Sequence, residues 1–387
     1  MIEGVISYFT SAFAFLQEYS IRRHMVNWEA IHAEVFAPAS TAQTPAKTYP
    51  ASRRALELLG DHHSFFLDPQ EAELFFQKGT IREIGLLATF PAGIVAYVYA
   101  QSPAFRANIH VGHTLLSING QPADEIDRKD WRALLKQPVL DLVIRPVGQA
   151  HMRALRLEAE TIPLFLVPAG HPLADPFAYL MLPGLVGNTT IIQDYAERVH
   201  QLLREIDQVE RRGWVVDLRL NRGGTLLPMI LSAGLLLEEG EAVAMISPDG
   251  SRSAWGYAQG RAWRGEASRH IDQYAQLKRP TPPIAVLTSQ LTSSSGEFLA
   301  LAFRGQSRTR SFGEPTAGLT SGNVLNRLSD GAVLALTTAL AADRQGRTAD
   351  GALVPDELVP IDWQLLGMEQ DPVVAAAGAW LKSQEGA

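Results

Sequence analysis

Residues 282–305 read PPIAVLTSQLTSSSGEFLALAFRG. The apolar run after the prolines predicts a buried strand, the polar run that follows predicts a turn, and the apolar spacing after Gly296 predicts a helix. Ser294 stands where the turn meets the helix, at the end that offers free N–H groups and a partial positive charge. A hydroxyl at this position could be a nucleophile beside amides that stabilise an oxyanion. It could also be an ordinary helix cap.

The same strand–turn–helix order occurs upstream of this stretch. AYLMLP (178–183) and GWVVDLRL (213–220) read as buried strands, and amphipathic or apolar helical patterns follow at 190–210 and 225–237. Strands that alternate with helices predict a largely parallel sheet, so the fold class is α/β. Residues 332–360 predict a C-terminal β-hairpin.

The first part of the chain has a different character. We expect a helical N-terminal segment over residues 1–75, a β-rich module over 80–160 and the α/β core over 165–387. Within the module, short alternating runs are separated by turn signals such as Asn119-Gly120. The whole is therefore a multi-domain α+β arrangement around an α/β core.

Composition excludes several classes of function. The 387 residues contain no cysteine, which rules out thiol catalysis, disulfides and cysteine-bound zinc. The net charge of −7 gives no basic field, so nucleic acid is not an expected partner. We see no membrane span and no typical signal peptide, so the protein is cytoplasmic, or periplasmic or secreted if an export signal has been removed. The oligomeric state stays open.

Two further segments contain candidate site residues. The turn Asn221-Arg222-Gly223-Gly224 follows a strand, and glycines let backbone amides approach a ligand, although a tight turn explains them as well. In LLGDHHSFF (58–66), His63 could be a general base, since histidine ordinarily titrates near neutral pH. A structural histidine is the alternative. No histidine or carboxylate cluster has the spacing of a metal site, so we expect no metal and no other cofactor.

In this order, the motifs resemble those of the carboxy-terminal-processing (tail-specific) peptidases and of the tricorn protease core. The similar segments are Leu59–Ser64, Asp217–Gly224, Thr292–Glu297, Gly313–Gly318 and Gly351–Asp356. The resemblance implies a crotonase/ClpP-like α/β core with Ser294 as nucleophile, and Ser295 as its adjacent competitor. It also implies oxyanion-binding amides from Ser295 and from Gly223 or Gly224.

One departure from the family bears on the mechanism. The Ser-Lys processing peptidases have a lysine directly after the GEPTxG motif, where this chain has Leu319. Leucine cannot accept a proton, so the tricorn-like alternative with a histidine base is favoured. In that scheme His63 is the base and Ser64 belongs to the same relay, or is a plain turn residue. An acid should orient the histidine. Asp343 is our narrow choice, because it ends a strand, over Asp350 and Glu357.

The β-rich module is similar to a PDZ domain. Residues 102–120, SPAFRANIHVGHTLLSING, match the family's pattern, although Asn108 replaces a glycine and His113 an aspartate. Glu83–Leu86 resembles the carboxylate-binding loop, so the amides of Gly85 and Leu86 are expected to bind the end of a peptide. A spacer is the alternative.

The sequence thus predicts a serine endopeptidase that hydrolyses unfolded or C-terminally exposed proteins through a Ser294 acyl-enzyme. Its partner is a protein or peptide substrate. The alternative is a catalytically degenerate peptide-binding protein on the same scaffold, because loss of the lysine is what a degenerate member would show.

Overall fold

The computed structural model describes residues 2–174, 176–271 and 276–384. The helices within them are α1 (Ile2–Tyr19), α2 (Trp28–Ser40), α3 (Tyr49–Leu59), α4 (Pro69–Glu73), α5 (Pro103–Arg106), α6 (Arg128–Leu135), α7 (Thr189–Ile206), α8 (Leu226–Ala233), α9 (Ser295–Arg304) and α10 (Pro372–Ser383). The strands are β1 (Phe65–Leu67), β2 (Thr80–Glu83), β3 (Leu86–Ala88), β4 (Val95–Val98), β5 (Thr114–Ile118), β6 (Gln121–Pro122), β7 (Val139–Arg145), β8 (Arg153–Glu158), β9 (Glu160–Pro163), β10 (Ala169–Pro172), β11 (Phe177–Met181), β12 (Gly213–Asp217), β13 (Gly240–Ile246), β14 (Arg252–Ala258), β15 (Arg261–Arg264), β16 (Ala267–His270), β17 (Ile284–Thr288), β18 (Thr309–Gly313), β19 (Ser321–Arg327), β20 (Val333–Asp343), β21 (Thr348–Ala349) and β22 (Glu357–Leu358).

A mostly parallel sheet forms the centre of the core. Its order is β10-β11-β12-β17-β18-β22, and only the pair β10–β11 is antiparallel. Every residue of β12 and β17 is buried, as expected for strands covered on both faces. One face packs against α7, α8 and α9, and the other against α10. The predicted α/β core is confirmed.

A second, antiparallel sheet lies beyond α8 and α9. Its order is β1-β20-β13-β14-β15-β16, and β19 and β21 also pair with β20. The hairpin predicted over 332–360 is present only in reduced form, because its return strand β21 has two residues. The long strand β20 pairs mainly with β19 and β13, which lie earlier in the chain.

The N-terminal helices cover one face of this antiparallel sheet. Helices α1, α2 and α3 share a hydrophobic cluster with Phe66, Leu334 and Leu336. Helix α3 ends at Gly60, whose φ of 69° is readily adopted only by glycine. The chain then turns through Asp61–Ser64 into β1, which pairs with the first residues of β20. This turn brings the histidines to the edge of the core.

The β-rich module has a hydrophobic core of its own, built from residues between Ile84 and Leu157. The module packs against the α/β core through a second hydrophobic cluster, which includes Leu87, Tyr99 and Leu220. The N–H of Phe90 also donates to Gln290 Oε1 at 2.6 Å. The module therefore contacts the turn that leads to Ser294.

Of the helices in the described residues, none has both the length and the apolar character needed to cross a bilayer.

Candidate active site

Ser294 lies at a sharp turn between β17 and α9. Its φ of 54° and ψ of −121° are a strained combination for a residue with a Cβ. Two contacts with the neighbouring turn hold this geometry: the Ser293 N–H donates to Asn221 O at 2.9 Å, and Thr292 Oγ1 donates to Leu218 O at 2.8 Å. A strained strand-to-helix turn exposes a side-chain oxygen at the end of a sheet, as nucleophiles require.

His63 lies against Ser294. The distance from His63 Nε2 to Ser294 Oγ is 3.0 Å, and the distance from His63 Nδ1 to Ser321 Oγ is 2.8 Å. The histidine is 9% exposed, so its ring is largely shielded from water. For Nε2 to accept the Ser294 proton, the ring proton must be on Nδ1, where Ser321 Oγ can accept it. The three side chains thus form a hydrogen-bonded relay.

The loop that holds His63 is organised by Asp61. Its Oδ1 accepts the N–H groups of His63 at 2.9 Å and Ser64 at 2.7 Å, and its Oδ2 accepts the Ser64 hydroxyl at 2.7 Å. The Ser64 hydroxyl in turn accepts the N–H of Thr337 on β20 at 2.9 Å. Ser64 therefore stabilises the loop and is not hydrogen-bonded to the relay of Ser294, His63 and Ser321, in contrast to the expectation that it belongs to that relay.

Two of the three carboxylates considered as the orienting acid, Asp343 and Glu357, are engaged elsewhere. Asp343 Oδ1 accepts the N–H groups of Gln345 and Arg347, and its Oδ2 binds Arg347 Nε at 2.7 Å, as in a turn. Glu357 pairs with Arg310 at 3.3 Å. Asp343 ends β20 opposite Val243, whereas Ser321, which contacts the ring, is opposite Leu340. The acid expected at Nδ1 is replaced by the Ser321 hydroxyl, which the sequence analysis missed.

The glycine turn lies directly beside the serine. A Cβ at Gly223 would be 2.8 Å from Ser294 Cβ and 3.0 Å from Ser295 N, so the backbone approaches as only glycine allows. The Gly223 N–H donates to Asn221 Oδ1 at 3.0 Å, within its own turn. The Ser295 N–H is the first of α9 and has no partner inside the helix. The Ser295 hydroxyl, the alternative nucleophile, donates to Gly224 O at 2.7 Å and is therefore already hydrogen-bonded.

Glu297 connects the nucleophile to the loop that ends at Leu319. Its Oε2 accepts the N–H groups of Ser294 at 2.9 Å and Leu319 at 2.8 Å. Its Oε1 accepts the Thr316 hydroxyl at 2.5 Å and the Gly318 N–H at 2.8 Å. Burial raises the pKa of this carboxyl, and the four hydrogen bonds oppose that shift. Leu319, at the position where the family resemblance leads us to expect a lysine, is thus held by its backbone N–H, but its side chain cannot accept a proton.

A buried ion network supports the turn before Gly223. Arg219 donates to both oxygens of Asp217 and to both oxygens of Asp371, and all three side chains are at most 1% exposed. Burial raises the pKa of Tyr179 strongly, and its hydroxyl donates to Asp217 Oδ2 at 2.6 Å. Because Asp371 caps α10, the network ties that helix to the end of β12.

The proposed carboxylate-binding loop of the β-rich module is closed in this structure. Gly85 and Leu86 are both buried, and the Gly85 carbonyl accepts the Tyr99 N–H at 2.9 Å and the Ser102 hydroxyl at 3.2 Å. Peptide binding by Gly85 and Leu86 stays a prediction, and it would require this loop to open.

Within the described ranges, no three histidine, cysteine or carboxylate side chains are grouped closely enough to hold a metal ion.

Comparison with known families gives two matches. Residues 177–359 match the model of peptidase family S41, and residues 94–145 match the model of a PDZ domain. The first region includes the turn of Gly223, the nucleophile segment and the start of β19. The second lies inside the β-rich module.

Curated relatives extend the likeness along the chain. The nisin-resistance protein of Lactococcus lactis subsp. lactis is 34% identical over 165 residues, which are 43% of this chain and 50% of that protein. Carboxyl-terminal-processing peptidase 2, chloroplastic, of Arabidopsis thaliana is 25% identical over 357 residues, 86% of this chain and 65% of that protein. The chain therefore spans between half and two thirds of the length of these relatives.

The fold is also similar to a solved structure, that of a photosystem II D1 C-terminal processing protease. The TM-score is 0.61 at 20% identity, with coverage of 96% of this chain and 98% of that one. At this identity the likeness concerns the fold alone.

Proposed function

We propose that this chain, a serine-type peptidase of family S41 with a PDZ domain, hydrolyses peptide bonds through a Ser294 acyl-enzyme with His63 as general base. The family was predicted from the sequence motifs, and the matches to both domain models confirm that prediction. The single observation that supports the mechanism is the relay of Ser294, His63 and Ser321, with contacts of 3.0 and 2.8 Å.

In the proposed acylation step, His63 Nε2 takes the proton of Ser294 Oγ as that oxygen attacks the scissile carbonyl carbon. The carbonyl oxygen becomes an oxyanion, which the Ser295 N–H and an amide of Gly223 or Gly224 stabilise. If the amide is that of Gly223, it must first leave Asn221 Oδ1. The C–N bond then breaks, and His63 returns its proton to the leaving amine. Throughout, the Ser321 hydroxyl oxygen accepts a hydrogen bond from the Nδ1–H group and keeps the ring in the required orientation.

Deacylation follows the same path with water. His63 Nε2 takes a proton from water, the resulting hydroxide attacks the acyl carbon, and the proton returns to Ser294 Oγ as the acid product leaves. Every proton that moves passes through Nε2. No metal or cofactor takes part in the proposed reaction.

The substrate in this proposal is a protein or peptide with an extended, unfolded segment. A strained serine at the end of a sheet attacks a backbone that reaches into the turn, and an extended, unfolded segment can do this more readily than a folded surface. The PDZ domain is consistent with a polypeptide partner, because such domains bind extended peptides.

The test uses casein and a fluorescent fluorophosphonate, which reacts only with an activated serine. The wild-type protein should hydrolyse casein and be labelled, whereas Ser294→Ala should lose both properties and retain its circular dichroism spectrum. Ser295→Ala is the matched control, and its labelling should persist. Hydrolysis by Ser294→Ala within about threefold of wild type contradicts the assignment of the nucleophile. An unlabelled, inactive wild type supports the degenerate peptide-binding protein.

A further inference from the structure

We infer that the outer edge of β19 binds an extended segment of the substrate as an additional β-strand and directs it to Ser294. This inference rests on the proposed function, because it assigns the substrate path to that same site. It concerns residues outside the relay, chiefly Val324 and Leu325.

The outer edge of β19 is open. The strand pairs with β20 along one side, and no strand within residues 2–174, 176–271 and 276–384 pairs with its other side. Val324 is 42% exposed and Leu325 is 52% exposed. An open edge presents unpaired N–H and C=O groups, and proteins usually protect such edges with lysine, proline or a covering element. In β19 the single charged residue is Arg327, at the far end.

The edge begins at the catalytic relay. Ser321 Oγ is 2.8 Å from His63 Nδ1, and Asn323 Nδ2 donates to His63 O at 3.0 Å. The bulge in this pair leaves its extra residue, Thr338, on β20, so the side chains of β19 continue to alternate. Leu325 therefore lies on the same face as Ser321 and Asn323. Ser321 lies at Nδ1 of His63, across the ring from Ser294 at Nε2. The residue two positions before the strand, Leu319, shares Glu297 Oε2 with the Ser294 N–H, so this edge begins close to the nucleophile.

The chemistry of the edge indicates an unfolded polypeptide as its occupant. Hydrogen bonds to the main chain would hold the backbone of any sequence, and Leu325 would contact an apolar side chain. Leu325 is four residues from Ser321, or about 13 Å along a strand. Because Ser294 lies beyond Ser321, across the His63 ring, only a substrate that extends at least about four residues from the scissile bond can reach Leu325. A second copy of this chain could also pair with an open edge, and this is an outcome of the test.

The experiment measures binding without turnover. Fluorescein-labelled apolar peptides of ten and three residues are titrated against Ser294→Ala and followed by fluorescence anisotropy. Adding Leu325→Lys should weaken binding of the ten-residue peptide by about tenfold, the effect of one lost leucine contact. The three-residue peptide should bind equally to both proteins. Leu358→Lys is the matched control, because Leu358 is a 65% exposed strand leucine of the other sheet.

Each outcome decides the inference. It is supported if Leu325→Lys weakens only the longer peptide and Leu358→Lys changes neither. It is overturned if Leu325→Lys leaves binding of the longer peptide unchanged, or if sedimentation shows a wild-type dimer that Leu325→Lys converts to a monomer. Failure of the proposed function is seen separately, as absence of fluorophosphonate labelling of the wild type, because the binding assay needs no active serine.

Discussion

Two loops meet around Ser294, and each is organised by a single carboxylate. The loop over Gly313–Leu319 is fixed by Glu297, which accepts four hydrogen bonds from it and from Ser294. The loop over Asp61–Ser64 is fixed by Asp61, which accepts the N–H groups of His63 and Ser64. In the first loop the side chain at the family's lysine position is Leu319. In the second the side chain offered to the nucleophile is His63.

The comparison indicates that a loop can be held firmly beside the serine without offering it a proton acceptor. The Glu297 carboxylate still positions the backbone of Leu319, although no proton acceptor is attached there. In the proposed mechanism the base is instead provided by the N-terminal segment, through a loop docked on β20 by Ser64 and Thr337. One loop would therefore determine structure around the serine, and the other would determine its reactivity.

The largest expected effect is on His63, the residue that distinguishes the two loops. His63→Ala should lower kcat for a small ester by about 10³-fold or more, because a nucleophile without its base loses most of its reactivity. The rate of wild type should also fall as pH decreases, since imidazolium cannot accept the serine proton. Initial rates across pH 5–9 measure both effects.

His62→Ala is the control for this prediction. His62 is exposed and has a positive φ of 60°, so its loss should leave kcat within a few fold of wild type. Adding Leu319→Lys to His63→Ala should not restore the rate, because a lysine base needs surroundings that lower its pKa. A near-normal rate and pH profile in His63→Ala would show that the base lies elsewhere.

The second prediction compares the two supporting carboxylates. Glu297→Gln should lower the free energy of unfolding by about 2–5 kcal/mol, because an amide nitrogen would face two of the four donors and leave them unpaired in a buried site. Asp61→Asn should cost about 1 kcal/mol, since Asp61 is half-buried and water can replace it. Urea unfolding at neutral pH measures both values. Equal losses would remove the distinction between a structural and a reactive loop.

The pH dependence of stability sharpens the same comparison. Burial raises the pKa of Glu297 above its ordinary value of 4.5, so the folded state retains this proton to higher pH than the unfolded state does. The contribution of Glu297 to stability therefore decreases as pH rises from 4.5 through the raised pKa. Subtracting the Glu297→Gln stability curve from that of wild type should reveal this decline. A difference that increases with pH would show that the hydrogen bonds outweigh burial.

The sequence predicted the parts of the site that have local signals. The strand, turn and helix around Ser294 and the glycine turn follow from apolar periods and turn residues. The antiparallel strands β13–β16 and β19 were missed, although each pairs with a neighbour in the chain, because their alternation of apolar and polar residues is weak. Ser321 was missed because its contact is with His63, which lies 258 residues earlier in the chain. Its position two residues after Leu319 was the available signal.

The last and smallest effect concerns Ser321, which acts through His63. Ser321→Ala should lower kcat/KM for a peptide about tenfold, the equivalent of one hydrogen bond, while KM changes little. Its hydroxyl accepts a hydrogen bond from Nδ1–H in both the neutral ring and the imidazolium, and this hydrogen bond stabilises the charged form more. Without it the imidazolium is less stable, so the decline in activity on the acid side should begin at a lower pH. Ser321→Thr keeps the hydroxyl and should restore both rate and profile. If Ser321→Ala lowers the rate but leaves the pH profile in place, Ser321 only supports the start of β19, and the ring is oriented by the Asp61 loop alone.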